Sequence, residues 1–323
     1  TCCLPAPPPC QGAVLMAAGN HTPSAEFLLL GFSGQEQVRA ALFLAAYVVT
    51  LLGNVGMLLL VRRDAQLHTP MYFFLSSLSF LDPCYSSTIT PRMLWDLLAA
   101  RRVISYPKCL AQLYFYAVFS TTECYLLAAV AYGRYVAICS PLLYAIAVPS
   151  RVCLLLVGGS YLARILDATI HVALAWCLSF CGPSLINHFY CEGPLLLAIS
   201  CTDPTLNQLV LFVVVGFNLL LTSLTILLSY ACILVATLRM CQGARKAAST
   251  CASHLAIVTL FYGSFAFMYL GASSRRSQDL DKMASVFYTV VTPMLNPVIY
   301  SLRNKEVKKA LGRAMEGKRL AGK

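Results

Sequence analysis

The sequence predicts an all-α protein: a bundle of seven membrane-crossing helices followed by a short amphipathic helix on the cytoplasmic side. Three observations predict it. Apolar residues make up 59% of the 323 positions and charged residues only 11%. An average soluble domain is about one quarter charged, so a water-facing shell of ordinary size is missing. Seven apolar stretches each approach the roughly 20 residues that a helix needs to cross the hydrocarbon core. The connections between them are short and polar, which leaves little length for a separate soluble domain.

Taken in order, span 1 covers 38–61 and stops at Arg62, Arg63 and Asp64. Span 2, 71–95, carries Asp82, Pro83 and Pro91; span 3, 109–135, closes near Arg134. Span 4 is 152–176, and a long connection, 177–205, leads to span 5, 206–238, which Arg239 closes. Arg245 and Lys246 introduce span 6, 247–271; span 7 is 283–302, and an amphipathic stretch, 303–315, follows. The domain plan is an extracellular segment over 1–37, the membrane domain over 38–302 and a cytoplasmic tail over 303–323. Residues 1–15, rich in Pro and Cys, read as a disordered extension ahead of Met16. No basic start with an apolar core and cleavage site is visible there, so span 1 is expected to act as its own insertion signal.

Lys and Arg near the span ends set orientation. One side holds Arg62, Arg63, Arg151, Arg239, Arg245, Lys246 and the tail residues Arg303, Lys305, Lys308, Lys309 and Arg313. The other holds Arg39, Arg101, Arg102, Lys108, Arg275, Arg276 and Lys282. The first side is richer, which places the C-terminus in the cytoplasm and, after seven crossings, the N-terminus outside. The net charge of +11 therefore reads as orientation and headgroup attraction rather than nucleic-acid binding. Asn20-His21-Thr22 is then an extracellular glycosylation triplet, followed by Pro23. Of fifteen cysteines, many sit inside apolar runs, such as Cys124, Cys153 and Cys232, where cysteine packs as a small hydrophobe. Cys109, Cys181, Cys191 and Cys201 fall on the oxidising side, and four cysteines allow three pairings.

Five segments carry a resemblance. They are Gly53-Asn54, LHTPMYFFLSSLSFLD from Leu67 to Asp82, AYGRYVAIC from Ala131 to Cys139, KAASTCASHL from Lys246 to Leu255, and PMLNPVIYSLRNKEVKKAL from Pro293 to Leu311. They resemble the olfactory receptor family, a branch of rhodopsin-like G-protein-coupled receptors, over nearly the whole chain after Met16. The resemblance implies a Cys109–Cys191 bridge and a second between Cys181 and Cys201. It implies an activation switch built from Asn54, Asp82, Glu123, Arg134, Tyr135, Tyr230, Asn296, Pro297 and Tyr300. A sodium ion between Asp82, Glu123 and Asn296 is the one cofactor it brings. Intramembrane acids cost ~2.5–3.5 kcal/mol on insertion scales and so mark function by default; a neutral packing cluster is the plainer alternative. Pro297 removes a backbone donor and makes span 7 a hinge.

The chain departs from the family at two places. Gly133 stands where an acid usually precedes Arg134, which removes a charge pair and weakens the helix by ~1 kcal/mol relative to Ala. The expected consequence is either raised basal activity or poor folding. In span 4 Tyr161 replaces a usual tryptophan, and Arg164 and Asp167 lie three apart on one face, where they can pair.

A ligand is expected among the outer halves of spans 3, 5, 6 and 7. Tyr116 and Ser120 share a face of span 3; Phe217 and Asn218 come from span 5, Tyr262, Phe265 and Tyr269 from span 6, and Thr289 from span 7. These faces carry no acid or base, which points to small, mostly neutral apolar molecules. The resemblance implies that the bound chain activates a stimulatory olfactory G protein through outward movement of span 6, in the ciliary plasma membrane of sensory neurons. No phosphate loop, HExxH or nucleophile elbow argues for an enzyme. Two alternatives stand beside the receptor reading: a receptor-like membrane protein that does not signal, toward which Gly133 and Arg164 lean, and a chemoreceptor working outside the nose.

Overall fold

In hydrocarbon an unpaired backbone N–H or C=O costs several kcal/mol, so long apolar segments close their hydrogen bonds within helices. The structure, a computed structural model, describes residues 26–32, 34–99, 102–142, 144–180, 185–239, 255–256, 258–267 and 278–321. Its long helices are α1 (Glu36–Arg63), α2 (Pro70–Leu98), α3 (Tyr106–Cys139), α4 (Ser150–Trp176) and α5 (Thr205–Arg239). The described part of the sixth span is α6 (Val258–Phe267). α7 runs through three joined segments, Gln278–Val286, Phe287–Val291 and Thr292–Arg303, and α8 is Lys305–Ala321. All seven expected spans are therefore helical where described, and the ends of the six spans other than the sixth are shifted by a few residues.

Among the described residues, α1, α3, α4 and α5 are each long and apolar enough to cross a membrane. α2 is 29 residues long, and Asp82, Arg92 and Asp96 lower its apolar content. Leu52, Leu155, Phe212 and Leu227 are all more than 60% exposed on the bundle's outside, an arrangement that water would penalise and acyl chains favour. α3 is the axis. It packs on α2, α4 and α5, and most of its length is buried, including Leu113, Tyr116, Leu126, Leu127 and Val130.

α7 is locked to α1 and α2 by its prolines. Pro293 has no N–H to return to Thr289, and the ladder just before it widens to a π turn over Phe287–Val291, with the Thr292 N–H donating to Phe287 O. Pro297 in turn cannot donate to Pro293 O. That freed carbonyl accepts from Asn54 Nδ2 at 3.1 Å, and the same amide nitrogen donates to Thr50 O at 2.9 Å. The approach is close because residue 53 has no side chain: a Cβ there would lie 2.8 Å from Pro297 Cγ. The adjacent Asn296 donates through Nδ2 to both carboxylate oxygens of Asp82 on α2, at 3.1 Å each.

The outer end carries a small sheet that the sequence reading did not contain. Strand β1 (Glu26–Leu29) pairs antiparallel with β2 (Val103–Ser105) and parallel with β3 (Leu185–Ile186). The alternation in β1 buries Phe27 and Leu29 and exposes Glu26 and Leu28. The Phe27 ring meets Tyr106 and Phe180 edge-on, and Tyr106 donates its hydroxyl to Ala175 O at 2.7 Å. Arg102 donates to the carbonyls of Leu30 and Phe32 and pairs with Glu36, so the chain entering α1 is tied down. Part of the segment expected to be a plain outer tail is thus a structural lid component.

At the inner end, Asn304 caps α8: its Oδ1 accepts from the Glu306 and Val307 N–H groups and from the Tyr72 hydroxyl. Arg313 donates through Nε and Nη2 to Asp64 Oδ2 at 3.0 and 2.6 Å, holding the Asp64 carboxyl below the usual carboxylate range and tying α8 to the α1–α2 turn. Replacing Gly53 with alanine should lower the thermal unfolding midpoint of the detergent-solubilised protein, by about 1–3 kcal/mol of overpacking against the rigid Pro297 ring. Gly56→Ala, whose Cβ meets nothing within 4 Å, should not lower it; equal midpoints for the two variants would refute the contact.

Candidate functional site

A void opens between the outer halves of α3, α4, α5 and α6. It measures about 760 Å³ when its mouth is included. α3 contributes Leu113, Tyr116, Ala117, Ser120 and Thr121; α5 contributes Asn207, Leu211 and Val215; α6 contributes Phe265. The short helix Gly193–Ala198, which follows the disulfide in the outer connection, adds Gly193, Leu196 and Leu197. The wall is mostly aliphatic, with a few polar groups, as small-molecule sites generally are.

Three of the expected ligand contacts line this void: Tyr116, Ser120 and Phe265. The others are elsewhere. Phe217 turns outward and is 62% exposed. Asn218 faces α3 and accepts from the Tyr125 hydroxyl at 2.6 Å. Tyr262 donates to Cys124 O at 3.0 Å. Thr289 is buried and donates to Ser285 O in its own helix. Tyr269 and Asn20 lie outside the described residues, as do Arg245, Lys246 and the side chain of Tyr300. α4 was absent from the expected lining and supplies a large share of the observed one, including Asp167 and His171. An acid and an imidazole therefore line the cavity from a helix outside the expected set, beside expected faces that carry neither. Both follow Arg164 at helical spacing, and intramembrane charge is the sequence signal that could have found them.

Below the void, the expected polar cluster is assembled. Asn54, Asp82, Glu123 and Asn296 are all fully buried. Asp82 is held by Asn296, but both Glu123 oxygens, Asn54 Oδ1, Asn296 Oδ1 and Ser79 Oγ have no hydrogen-bond partner among the described residues. A set of orphaned oxygens around two acids has the donor chemistry of a hard-cation site. Toward the inner end, Arg134 is half-buried beside Gly133, where an added Cβ would meet nothing nearer than Phe74 at 3.9 Å. Tyr230 on α5 is buried, and the Tyr135 ring lies tilted at 45° to that of Tyr132, with centroids 6.2 Å apart.

The outer connection closes the bundle. Cys109 and Cys191 form the expected disulfide, with Cα atoms 5.5 Å apart. Cys201 is also disulfide-bonded, while Cys181 lies outside the described residues. Gln112 bridges the crossing: its Nε2 donates to Thr88 O and its Oε1 accepts the Cys191 N–H. The preceding residues plunge inward. His188 Nε2 lies 3.2 Å from Ser285 Oγ, and the Tyr190 and Tyr288 hydroxyls are 2.7 Å apart. Burial, and then the nearby Lys282 charge, hold the His188 imidazole down at about 3.

Along one axis lie an apolar chamber near one surface, a buried cluster of two acids and two amides in the middle, and the cationic side chain of Arg134 toward the far end of α3. This is the layout of a membrane receptor for small molecules. Sequence comparison agrees. The family model described as olfactory receptor matches residues 43–318. Mouse olfactory receptor 5AP2 is 51% identical over 297 residues, covering 90% of this chain and 94% of its own length. Human olfactory receptor 5C1 is 54% identical over 292 residues, covering 89% and 91%. Mouse olfactory receptor 8U3 is 49% identical over 306 residues, covering 93% and 96%. The chain belongs to the olfactory receptor family. It is a multi-pass odorant receptor of the G-protein-coupled class, whose partners are an odorant, a G protein and the bilayer, and not an enzyme.

His188 supplies a pH prediction. The folded chain keeps the ring neutral, while the unfolded chain protonates it below its ordinary value of 6.5, so stability is lost as pH falls through that value toward about 3. Between pH 6.5 and 5 the loss is about 2 kcal/mol from this group alone. The thermal midpoint of the purified receptor should fall over that interval, and His188→Gln should flatten the fall; an unchanged slope in the variant would refute the assignment.

Proposed function

We propose that the receptor binds small, mostly neutral apolar odorants in the cavity beneath the disulfide-tied loop and passes the signal to a stimulatory olfactory G protein. The carrying observation is the chamber itself, an aliphatic space bounded by α3, α4, α5 and α6 and roofed by Gly193–Ala198. The N-terminal segment, 1–37, lies outside and the tail, 303–323, in the cytoplasm. The excess of Lys and Arg at the ends of spans that meet α8 supports this orientation. The site of action is the plasma membrane, and in sensory neurons its ciliary part.

Activation is a population shift: odorant must bind the active arrangement more tightly than the resting one. α6 moves outward at its inner end, and the opened cleft accepts a helical segment of the G protein. Phe265 lines the cavity and meets Tyr288 of α7 edge-on at 5.7 Å, which gives an odorant contact with both moving helices. Asp82, Asn296 and Asn54 form the relay, with Pro297 as hinge and Tyr135, Tyr230 and Tyr300 at the inner end. Asp82, Glu123 and Asn296 are the residues that would hold a sodium ion, which would supply positive charge to the two acids. Arg134 meets the G protein. Gly133 removes the acid that restrains this arginine in relatives of the wider class, so the resting state is less favoured.

Two experiments test the reading. In cells expressing the receptor at measured surface level, an odorant panel should raise cyclic AMP. Ala117→Trp, which fills the cavity, should abolish the response, and Gly133→Asp should lower the ligand-free level; a full response from Ala117→Trp would refute the site. For the ion, replacing choline with sodium at constant ionic strength should raise the thermal midpoint of the native receptor and leave that of Glu123→Gln unchanged. Equal sodium sensitivity in both would remove sodium from the account.

A further inference from the structure

Arg164, Asp167 and His171 stand at i, i+3 and i+7 on α4 and so form one stripe along the helix. Arg164 Nη1 lies 3.4 Å from Asp167 Oδ2, and His171 Nε2 lies 3.5 Å from Asp167 Oδ1. All three side chains are at most 16% exposed. The Arg164 guanidinium sits over the Tyr125 ring at 4.9 Å, and Tyr125 donates to Asn218, so the stripe is fixed on its inner side. On its outer side Asp167 and His171 form part of the cavity wall.

Both approaches to the Asp167 carboxylate are long. Charge-assisted bonds settle near 2.7–2.9 Å, and an ionised carboxylate offers about four acceptor positions. With its Nε2–H turned toward Asp167, the imidazole presents Nδ1 as a second acceptor. Tyr116 and Ser120 on α3 and Asn207 on α5 are the other donors in the wall, and none of them bonds to Asp167, whose partners are Arg164 and His171. Leu113, Ala117, Leu211 and Val215 are aliphatic, and the Thr121 hydroxyl is already spent on Ala117 O. This side of the chamber therefore asks for a hydrogen-bond donor.

Charge decides which donor. Arg164 already balances Asp167, so an ammonium ligand would add a second cation at close range in a low-dielectric space, where repulsion is strongest. A carboxylate ligand would face Asp167 directly. A neutral O–H meets neither penalty and satisfies a buried acceptor that is costly to leave unmade. We infer that the odorants this receptor selects are small alcohols, with the hydroxyl donating to the Asp167–His171 pair on α4 and the apolar body lying against α3 and α5. This rests on the cavity reading above and makes Asp167 and His171 its specificity determinants.

The test uses the purified full-length receptor and matched linear probes of six, eight and ten carbons: the alcohol, its methyl ether, the acid, the amine and the alkane. Affinities come from the rise of the thermal midpoint with probe concentration. An alcohol should bind about ten- to hundred-fold tighter than its ether. His171→Phe and Asp167→Asn should each abolish the alcohol's advantage over its ether. His171→Phe keeps the Arg164–Asp167 pair, so it decides the matter even if Asp167→Asn fails to fold. Equal binding of alcohol and ether, tightest binding by acid or amine, or an alcohol advantage that survives His171→Phe would overturn the inference. If no probe binds the native receptor better than it binds Ala117→Trp, the cavity reading itself falls; if probes do bind but alcohols have no advantage, only this inference falls.

Discussion

The contact that the bundle depends on is the meeting of Pro297 with Gly53 and Asn54. A proline within a helix leaves a carbonyl without its donor, and in hydrocarbon that carbonyl has no water to turn to. Asn54 supplies the donor from α1, and it reaches Pro293 O because Gly53 lets the proline ring come close. One residue earlier, Asn296 grips Asp82 of α2. The three helices are thus joined at the point where α7 is weakest as a helix. A break repaired by polar side chains from two neighbours can be remade in another arrangement, which an uninterrupted helix packed by leucines cannot do as readily.

The outer half is organised differently. There, aromatic and disulfide contacts replace polar repair. The Cys109–Cys191 bridge and Gln112 draw the long connection down onto α3, and His188 and Tyr190 bury their rings against Ser285 and Tyr288 of α7. β1 then seals the edge by pairing with both β2 and β3. The chamber that remains is mostly apolar in its walls, which strengthens any hydrogen bond made inside it and raises the cost of an unmatched one. The α4 stripe acquires its chemical meaning from these walls. On a water-exposed helix, Arg164, Asp167 and His171 would be an ordinary i, i+3, i+7 set worth a few tenths of a kcal/mol.

Much of this was legible in the residues. The helices followed from apolar length, Pro297 announced a break in α7, and Asp82 and Glu123 stood out because acids are expensive in a span. The Arg164–Asp167 pair followed from spacing alone. Asn54 and Asn296 were expected in one cluster with Asp82 and Glu123, and the amide that Asn54 lends to Pro293 O gives that expectation a specific geometry. The strands were not legible. Four residues of alternating burial in β1 become a strand only when β2 and β3 arrive beside them, and no local pattern states that pairing. Phe217 illustrates the limit on helices. Neighbouring positions on a wholly apolar segment look alike in sequence, and only packing against α3 turns Asn218 inward and leaves Phe217 facing lipid.

The sequence by itself determined the solvent of this protein, its helical class, the register of its breaks and its family, because each depends on composition or short-range spacing. Tertiary structure alone decided where the chamber lies, that α4 rather than α7 supplies its polar wall, and which oxygens in the buried cluster lack partners. Those depend on helix rotation and on the path of the outer connection, which are fixed by contacts between residues far apart in the chain.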